Sequence, residues 1–145
     1  MKRRTILQAL PALALFSAMP RAAAQGGTNS MQSSTEVFEL RVYHATEGKL
    51  PELLARFRDH TDKLFAKHGL KSVAYWTPVD EPQKNNTLIY ILQHPSRDAA
   101  AANWKAFQDD PDWKSVKAKS EENGPLTIKI DSTYMAYTDF SKKLG

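Results

Sequence analysis

The segment Glu36-Val37-Phe38-Glu39-Leu40-Arg41-Val42-Tyr43-His44 decides the fold. Its side chains alternate between two sides, with Phe38, Leu40 and Val42 on one and Glu39, Arg41 and Tyr43 on the other. An alternation of period two predicts a β-strand with one face toward a core. We expect the apolar side to face the helices of the domain, which leaves Glu39, Arg41 and Tyr43 on the second face of the sheet.

The elements after this strand follow from spacing and turn residues. Apolar residues three and four apart predict a helix from Lys49 to His68, ended by Gly69. Further strands are predicted over 71–77, 87–94 and 126–137, with a helix after the N-cap Ser96 and a short helix over 111–122. This order predicts an α+β fold, a ferredoxin-like βαββαβ sandwich with an extra short helix.

The second face of the predicted sheet is expected to be rich in aromatic and half-polar side chains. Its candidates for lining a cleft are Glu39, Arg41, Tyr43, Trp76, Tyr90 and His94. A face with so much aromatic area is usually covered by another surface. A second copy of the chain is the simplest cover, so we expect a homodimer that pairs as a dimeric α/β barrel.

The first 24 residues are predicted to be a cleavable export signal. Basic residues at 2–4 precede an apolar stretch that ends at Met19, and small residues precede a cut after Ala24. The apolar stretch is shorter than the roughly 18 residues that cross a bilayer, which argues against a permanent membrane anchor. Arg3-Arg4 fits a twin-arginine signal and also an ordinary secretory one, and both stay open.

Cleavage of that signal would leave a periplasmic or secreted protein. The expected organisation is a flexible linker over 25–35, one domain over 36–140 and a tail over 141–145. The formal charge of +4 comes from 20 basic and 16 acidic residues, and four of the basic ones lie in the signal, so the mature chain is neutral. A neutral domain has no electrostatic reason to bind nucleic acid. The absence of cysteine excludes disulfides and thiolate metal sites.

Six short segments resemble the NIPSNAP family, within the dimeric α/β barrel group. They are Phe38 to Tyr43, Gly48-Lys49-Leu50, His68-Gly69 with Tyr75-Trp76, Trp104 with Phe107, Asp110-Pro111-Asp112-Trp113 and Gly124-Pro125-Leu126. The resemblance spans about 36–140 and implies a ferredoxin-like fold that dimerises around a central cleft. It implies no cofactor and no catalytic residues, because the wider group ranges from cofactor-independent monooxygenases and haem-degrading enzymes to binding proteins.

Each candidate residue has a structural and a functional interpretation. Glu39 and Arg41 could bind an anion or a carbonyl group, or form a structural ion pair with each other or with Asp131. The aromatic candidates Tyr43, Trp76 and Tyr90 could stack on a ligand or pack in the dimer core.

The histidines and aspartates also have two interpretations each. No histidine pair has metal-binding spacing, so no metal site is predicted. His94, at the end of a strand, is the candidate acid/base or axial haem ligand, and His68 is expected to cap its helix. Asp109, Asp110 and Asp112 flank the start of a helix, where carboxylates cap amides, so capping is preferred to a cation site.

The sequence is therefore compatible with three functions. The first is binding of a small hydrophobic or aromatic molecule in the cleft. The alternatives are a cofactor-independent monooxygenase-like or isomerase-like enzyme, which would use Arg41, Tyr43 or His94, and a structural or interaction module.

Overall fold

The structure, a computed structural model, describes residues 35–144. The predicted export signal, its cleavage site and most of the predicted linker lie outside these residues. The elements in chain order are β1 (Val37–Ala45), α1 (Leu50–Arg56), a π-helical turn (Phe57–Thr61), α2 (Asp62–Lys67), β2 (Lys71–Trp76), β3 (Thr87–His94), α3 (Arg97–Asp109), α4 (Pro111–Ser120) and β4 (Thr127–Met135). Within 35–144, no helix is long and apolar enough to cross a membrane.

The four strands form one antiparallel sheet in the order β2-β3-β1-β4. The helices pack on one of its faces, which confirms the predicted α+β ferredoxin-like fold with an additional short helix, α4. β1, which contains Phe38 to Tyr43, lies in the interior of the sheet between β3 and β4. β1 therefore pairs with a strand on each side, and its side chains contact both neighbouring strands and the helices.

The first predicted helix is confirmed, with one irregularity. A π-helical turn separates α1 from α2, and the Thr61 hydroxyl donates a hydrogen bond of 3.2 Å to the carbonyl oxygen of Arg56. A π turn inserts one extra residue into a helix and leaves a carbonyl without its usual partner, which Thr61 here supplies. The helix ends as predicted at Gly69, whose φ of 72° suits glycine, and the Leu70 amide closes back on the Phe65 carbonyl at 2.9 Å.

The hydrophobic core lies between the helices and the sheet. Aromatic rings dominate it, and the centroid of the Phe65 ring lies 5.9 Å from that of Tyr90, 5.4 Å from that of Trp104 and 4.9 Å from that of Phe107. Edge-to-face and tilted contacts of this kind add to the stabilisation from burial. Since the helices supply Phe57, Phe65 and Phe107 and the sheet supplies Tyr43 and Tyr90, the aromatic core joins the two layers.

The two faces of β1 are the reverse of those predicted. Glu39, Arg41 and Tyr43 point toward the helices, where Glu39 accepts a hydrogen bond from the indole of Trp104 in α3. Phe38, Leu40 and Val42 lie on the opposite face, as does Ile89, which pairs with Val42. The prediction placed apolar residues against the helices, but in this domain the helix side holds a polar network and the far side is aliphatic.

That aliphatic face is partly covered by the end of the chain. The ring of Tyr137 packs edge-on against Phe38, with 4.8 Å between centroids. Elsewhere on this face Trp76 keeps 47% of its surface exposed. Asp131 pairs here with His44 at 2.9 Å and with Lys129, so the predicted contact of Asp131 with Glu39 or Arg41 is wrong.

Candidate functional site

Glu39 is the centre of a buried polar network on the helix side of β1. Its carboxylate, with 1% of its surface exposed, accepts hydrogen bonds from four side chains. The donors are Arg41 Nη1 at 3.0 Å, Ser132 Oγ at 2.7 Å, Trp104 Nε1 at 2.7 Å and His94 Nε2 at 3.1 Å. Burial alone would raise the pKa of Glu39, but these hydrogen bonds and the charge of Arg41 outweigh it and lower the pKa to about 2. The carboxylate is therefore ionised at neutral pH.

His94 lies deeper than the sequence suggested. Its ring has no exposed surface, its Nε2 faces Glu39, and its Nδ1 has no hydrogen-bond partner among the described residues. His94 therefore does not line the cavity beside Arg41. Its ring holds the carboxylate of Glu39 in place.

Arg41 lies between two aromatic rings. Its guanidinium carbon is 4.7 Å from the centroid of the Trp104 ring and 5.5 Å from that of Tyr43, whose hydroxyl it reaches through Nη2 at 3.4 Å. Burial opposes the charge, but the neighbouring Tyr43, Tyr90 and Glu39 outweigh it and raise the pKa of Arg41 above its usual range. Arg41 is therefore a permanently charged group held in one orientation.

Tyr43 and Tyr90 extend the network into the core. The Tyr90 hydroxyl donates to that of Tyr43 at 3.1 Å. Burial, and then the proximity of Tyr43, raise the pKa of Tyr90 well above its ordinary value, so its phenol stays protonated.

A cavity of about 530 Å³ opens beside Arg41, between the sheet and the helices. Residues from β1, β4, α3 and α4 wall it, together with Arg56 at the end of α1. Its aromatic walls are Tyr43, Trp104, Phe107 and Trp113, and its charged residues are Arg41, Arg56, Lys114, Lys117 and Glu121. The volume falls within the roughly 300–1,000 Å³ typical of small-molecule sites.

Of the cavity residues, only Arg41 and Tyr43 were predicted as cleft residues, and the buried Arg56 was among those missed. Its side chain is 5% exposed, and its Nη1 donates to Glu121 Oε1 at 2.8 Å and to Ser120 Oγ at 3.3 Å. Its guanidinium also lies 5.4 Å from the centroid of the Trp113 ring. Arg56 follows the buried Leu53 by three residues, and this spacing places both on the inner face of the helix. The spacing could have predicted its burial, but a charged residue is normally expected on the solvent side.

The predicted cleft residues divide into three groups. Arg41 and Tyr43 line the cavity, whereas Glu39, Tyr90 and His94 lie beneath them in the same network. Trp76 lies on the opposite face of the sheet. The structure thus brings five of the six together, in the interior of one chain and not between two sheets. Whether they bind a ligand stays a prediction.

The predicted capping role is confirmed for Asp110, whereas Asp109 pairs with Lys105 and Asp112, within the first turn of α4, pairs with Lys67. Asp110 accepts from the Asp112 amide at 2.7 Å as the N-cap of α4, and it also pairs with Lys67 and with His68 at 2.6 Å. Hydrogen bonds from Lys67 and His68 lower the pKa of Asp110 below its usual range. Across 35–144, no group of three histidine, aspartate or glutamate side chains is arranged to hold a metal ion.

Comparison with known proteins gives a family and a fold. The NIPSNAP family model matches residues 38–142. No curated protein matches the chain. Among solved structures, a NIPSNAP-like domain protein from Burkholderia xenovorans is similar at a TM-score of 0.66 and 15% identity, over 77% of this chain and 93% of that one. A NIPSNAP family protein from Agrobacterium tumefaciens is similar at a TM-score of 0.64 and 21% identity, over 73% of this chain and 96% of that one. A cofactor-independent oxygenase from Streptomyces nogalater is similar at a TM-score of 0.49 and 15% identity, over 74% of this chain and 98% of that one.

Proposed function

We propose that this chain, which belongs to the NIPSNAP family, binds a small aromatic or hydrophobic molecule in the cavity between its sheet and its helices. One observation carries the proposal: four aromatic rings and a fixed arginine line a concave space of about 530 Å³ in the described domain. Small-molecule sites characteristically combine apolar walls with a few oriented polar groups. Here Tyr43, Trp104, Phe107 and Trp113 are the walls, and Arg41 is an oriented polar group.

The edge strand supports a path into the cavity. Ile130 of β4 lines the cavity and is 43% exposed, and Ile128, also in β4, is 74% exposed. Apolar side chains at the rim of a cavity favour the entry of an apolar ligand, because they lose contact with water when it binds.

Calorimetric titration with a neutral probe, 2-naphthylmethanol, tests this function. The matched variants are Ile130→Trp, which adds a bulky ring at the cavity wall, and Val79→Trp, which adds the same ring to a loop residue that is 81% exposed. We expect binding to the wild type and to V79W, and a loss of at least about tenfold in affinity for I130W. Equal affinity in all three proteins, or no binding to any, would reject the cavity as the site.

We further propose that the aliphatic sheet face forms a homodimer interface. Leu40, Val42, Ile89 and Ile91 lie together on it, and the exposed ring of Trp76 extends the apolar area. A monomeric protein rarely exposes such an apolar area to solvent. The same face of a second chain, related by a two-fold axis, can cover it. Sedimentation of the chain beginning at Gln25 is expected to give a dimer, and Ile89→Glu a monomer. A wild-type monomer at high micromolar concentration would refute the interface.

Export remains part of the proposal because of residues 1–24. Fusing 1–25 to a reporter should deliver the reporter outside the cytoplasm, and replacing Arg3 and Arg4 by lysine should abolish this if the twin-arginine route is used. Undiminished export of the lysine variant would assign the ordinary secretory route. Cytoplasmic retention of the unaltered fusion would refute export.

The enzymatic alternative has less support. It needs a group that exchanges protons at the cavity wall, and His94 is enclosed behind Glu39. Tyr43 lies on that wall, but its hydroxyl already accepts hydrogen bonds from Arg41 and Tyr90. Arg41 stays charged and can orient a ligand without transferring a proton to it. The third alternative, an interaction module, predicts that the neutral probe does not bind.

A further inference from the structure

We infer that the ligand of this cavity is an aromatic carboxylate, whose anionic group pairs with Arg41 and Arg56 while its ring stacks among the aromatic walls. The inference rests on the proposed function, which requires only an apolar or aromatic ligand, and adds the charge of that ligand.

The charges that line the cavity are mostly positive. Its lining contains the four cations Arg41, Arg56, Lys114 and Lys117 and a single carboxylate, Glu121, which is paired with Arg56. Glu39, beneath the lining, pairs with Arg41, so the excess positive charge comes from the two lysines. The predicted mature chain has equal numbers of acidic and basic residues overall, so this concentration is local. Low-dielectric walls strengthen the field of such a cluster and attract an anion from solution.

The two arginines have more donors than partners. A guanidinium carries five N–H groups, and those of Arg41 make two hydrogen bonds, one to Glu39 and a long one to the Tyr43 hydroxyl. Both bonds of Arg56 come from Nη1. The Nε atoms of both residues are enclosed and have no partner among the described residues, so the donors available to a ligand are those of the Nη groups.

Aromatic stacking does not account for these donors. The rings of Trp104 and Trp113 satisfy the faces of the two guanidinium groups, at 4.7 and 5.4 Å, but the N–H bonds lie in the guanidinium plane. Glu39 already accepts four hydrogen bonds, one of them from Arg41, so it has little capacity for a second bond from this arginine. The planar fork of an arginine matches a carboxylate through two parallel bonds, so a carboxylate fits the remaining donors on Arg41 and Arg56.

The test compares two probes with the same ring system and similar size, 2-naphthoate and neutral 2-naphthylmethanol. A Trp76→Phe background removes the tryptophan outside the cavity, so that the remaining fluorescence comes from Trp104 and Trp113, both on the cavity wall. We expect naphthoate to bind about 10- to 100-fold more tightly than the alcohol, the range for a charge-assisted hydrogen bond. The preference should shrink as ionic strength rises.

Three variants locate the anionic group. Arg56→Met should weaken naphthoate binding much more than alcohol binding and so remove most of the preference. Lys84→Met, which changes an exposed lysine outside the cavity lining, should change neither affinity. Arg41→Lys keeps a charge beside Glu39, so the network retains its counterion while the forked donor is lost. It should also weaken naphthoate selectively.

The possible results separate the two proposals. Equal affinity for the two probes would overturn the carboxylate inference and leave the proposed function standing. Failure of the neutral alcohol to bind would reject the proposed function, whatever naphthoate does. An unchanged preference in both R56M and R41K, with both variants folded by circular dichroism, would overturn the assignment of the anion to these arginines.

Discussion

Replacing Glu39 by glutamine should destabilise the domain in a manner that depends on pH. The substituted amide keeps the shape of the glutamate side chain but removes the charge that faces Arg41, and its NH₂ group would meet donors where the carboxylate offered acceptors. A carboxyl whose folded pKa is depressed stabilises the fold above its unfolded pKa and loses that contribution as pH falls through the folded pKa.

The magnitude follows from the shift. Lowering the pKa of Glu39 from 4.5 to about 2 corresponds to about 3 kcal/mol of stability at pH 7, which falls to about 1 kcal/mol at pH 3. Other depressed carboxyls, such as Asp110 and Asp131, also contribute to acid sensitivity. The difference between wild type and E39Q at each pH isolates the part that belongs to Glu39.

Urea unfolding at pH 7, 5 and 3, followed by circular dichroism, measures this difference. We expect E39Q to lose about 3 kcal/mol at pH 7 and clearly less at pH 3, while the exposed Glu47→Gln changes little at any pH. A destabilisation of E39Q that is the same at pH 7 and pH 3 would show that lost shape or hydrogen-bond geometry, and not charge, is responsible.

Three further tests of local features use the same unfolding assay. Gly48→Ala and Gly69→Ala both place a side chain at positive φ, near 73° and 72°, which costs about 1–2 kcal/mol. G69A should cost more, because its Cβ would lie 2.9 Å from Asn103 Nδ2; equal losses would mean that Asn103 moves aside without penalty. Thr61→Val removes the donor to the carbonyl in the π-helical turn and should cost about 1–3 kcal/mol, and an unchanged stability would show that the turn does not need it. Ser96→Ala removes the N-cap of α3 and should cost about 1 kcal/mol; no loss would mean that water replaces the cap.

The architecture was predictable because its signals are local. Periodicity, the N-cap Ser96 and the stop at Gly69 each act within a few residues, and each element appears close to its predicted place. The NIPSNAP resemblance, read from short segments, agrees with the family model.

The orientation of β1 was not predictable from its own residues. Alternation shows that a strand has two different faces, but it does not say which face meets the helices when both sides are shielded from water. The deciding partner is distant in sequence: the indole of Trp104 needs an acceptor, and Glu39 supplies it across 65 residues. The cavity was not predicted because it too depends on residues that are distant in sequence. The partners of Arg56 are Trp113 in α4 and Glu121 just after α4.

The extra residue in the π-helical turn has a consequence for comparing this chain with its relatives. A helix with one additional residue cannot be superposed on an uninterrupted helix without a one-position gap, which belongs between Phe57 and Thr61. An alignment that places the gap elsewhere would shift the inward positions of α1 or α2 by about 100°, the rotation of one residue. It would then match Arg56 or Phe65 to positions on the wrong side of the helix.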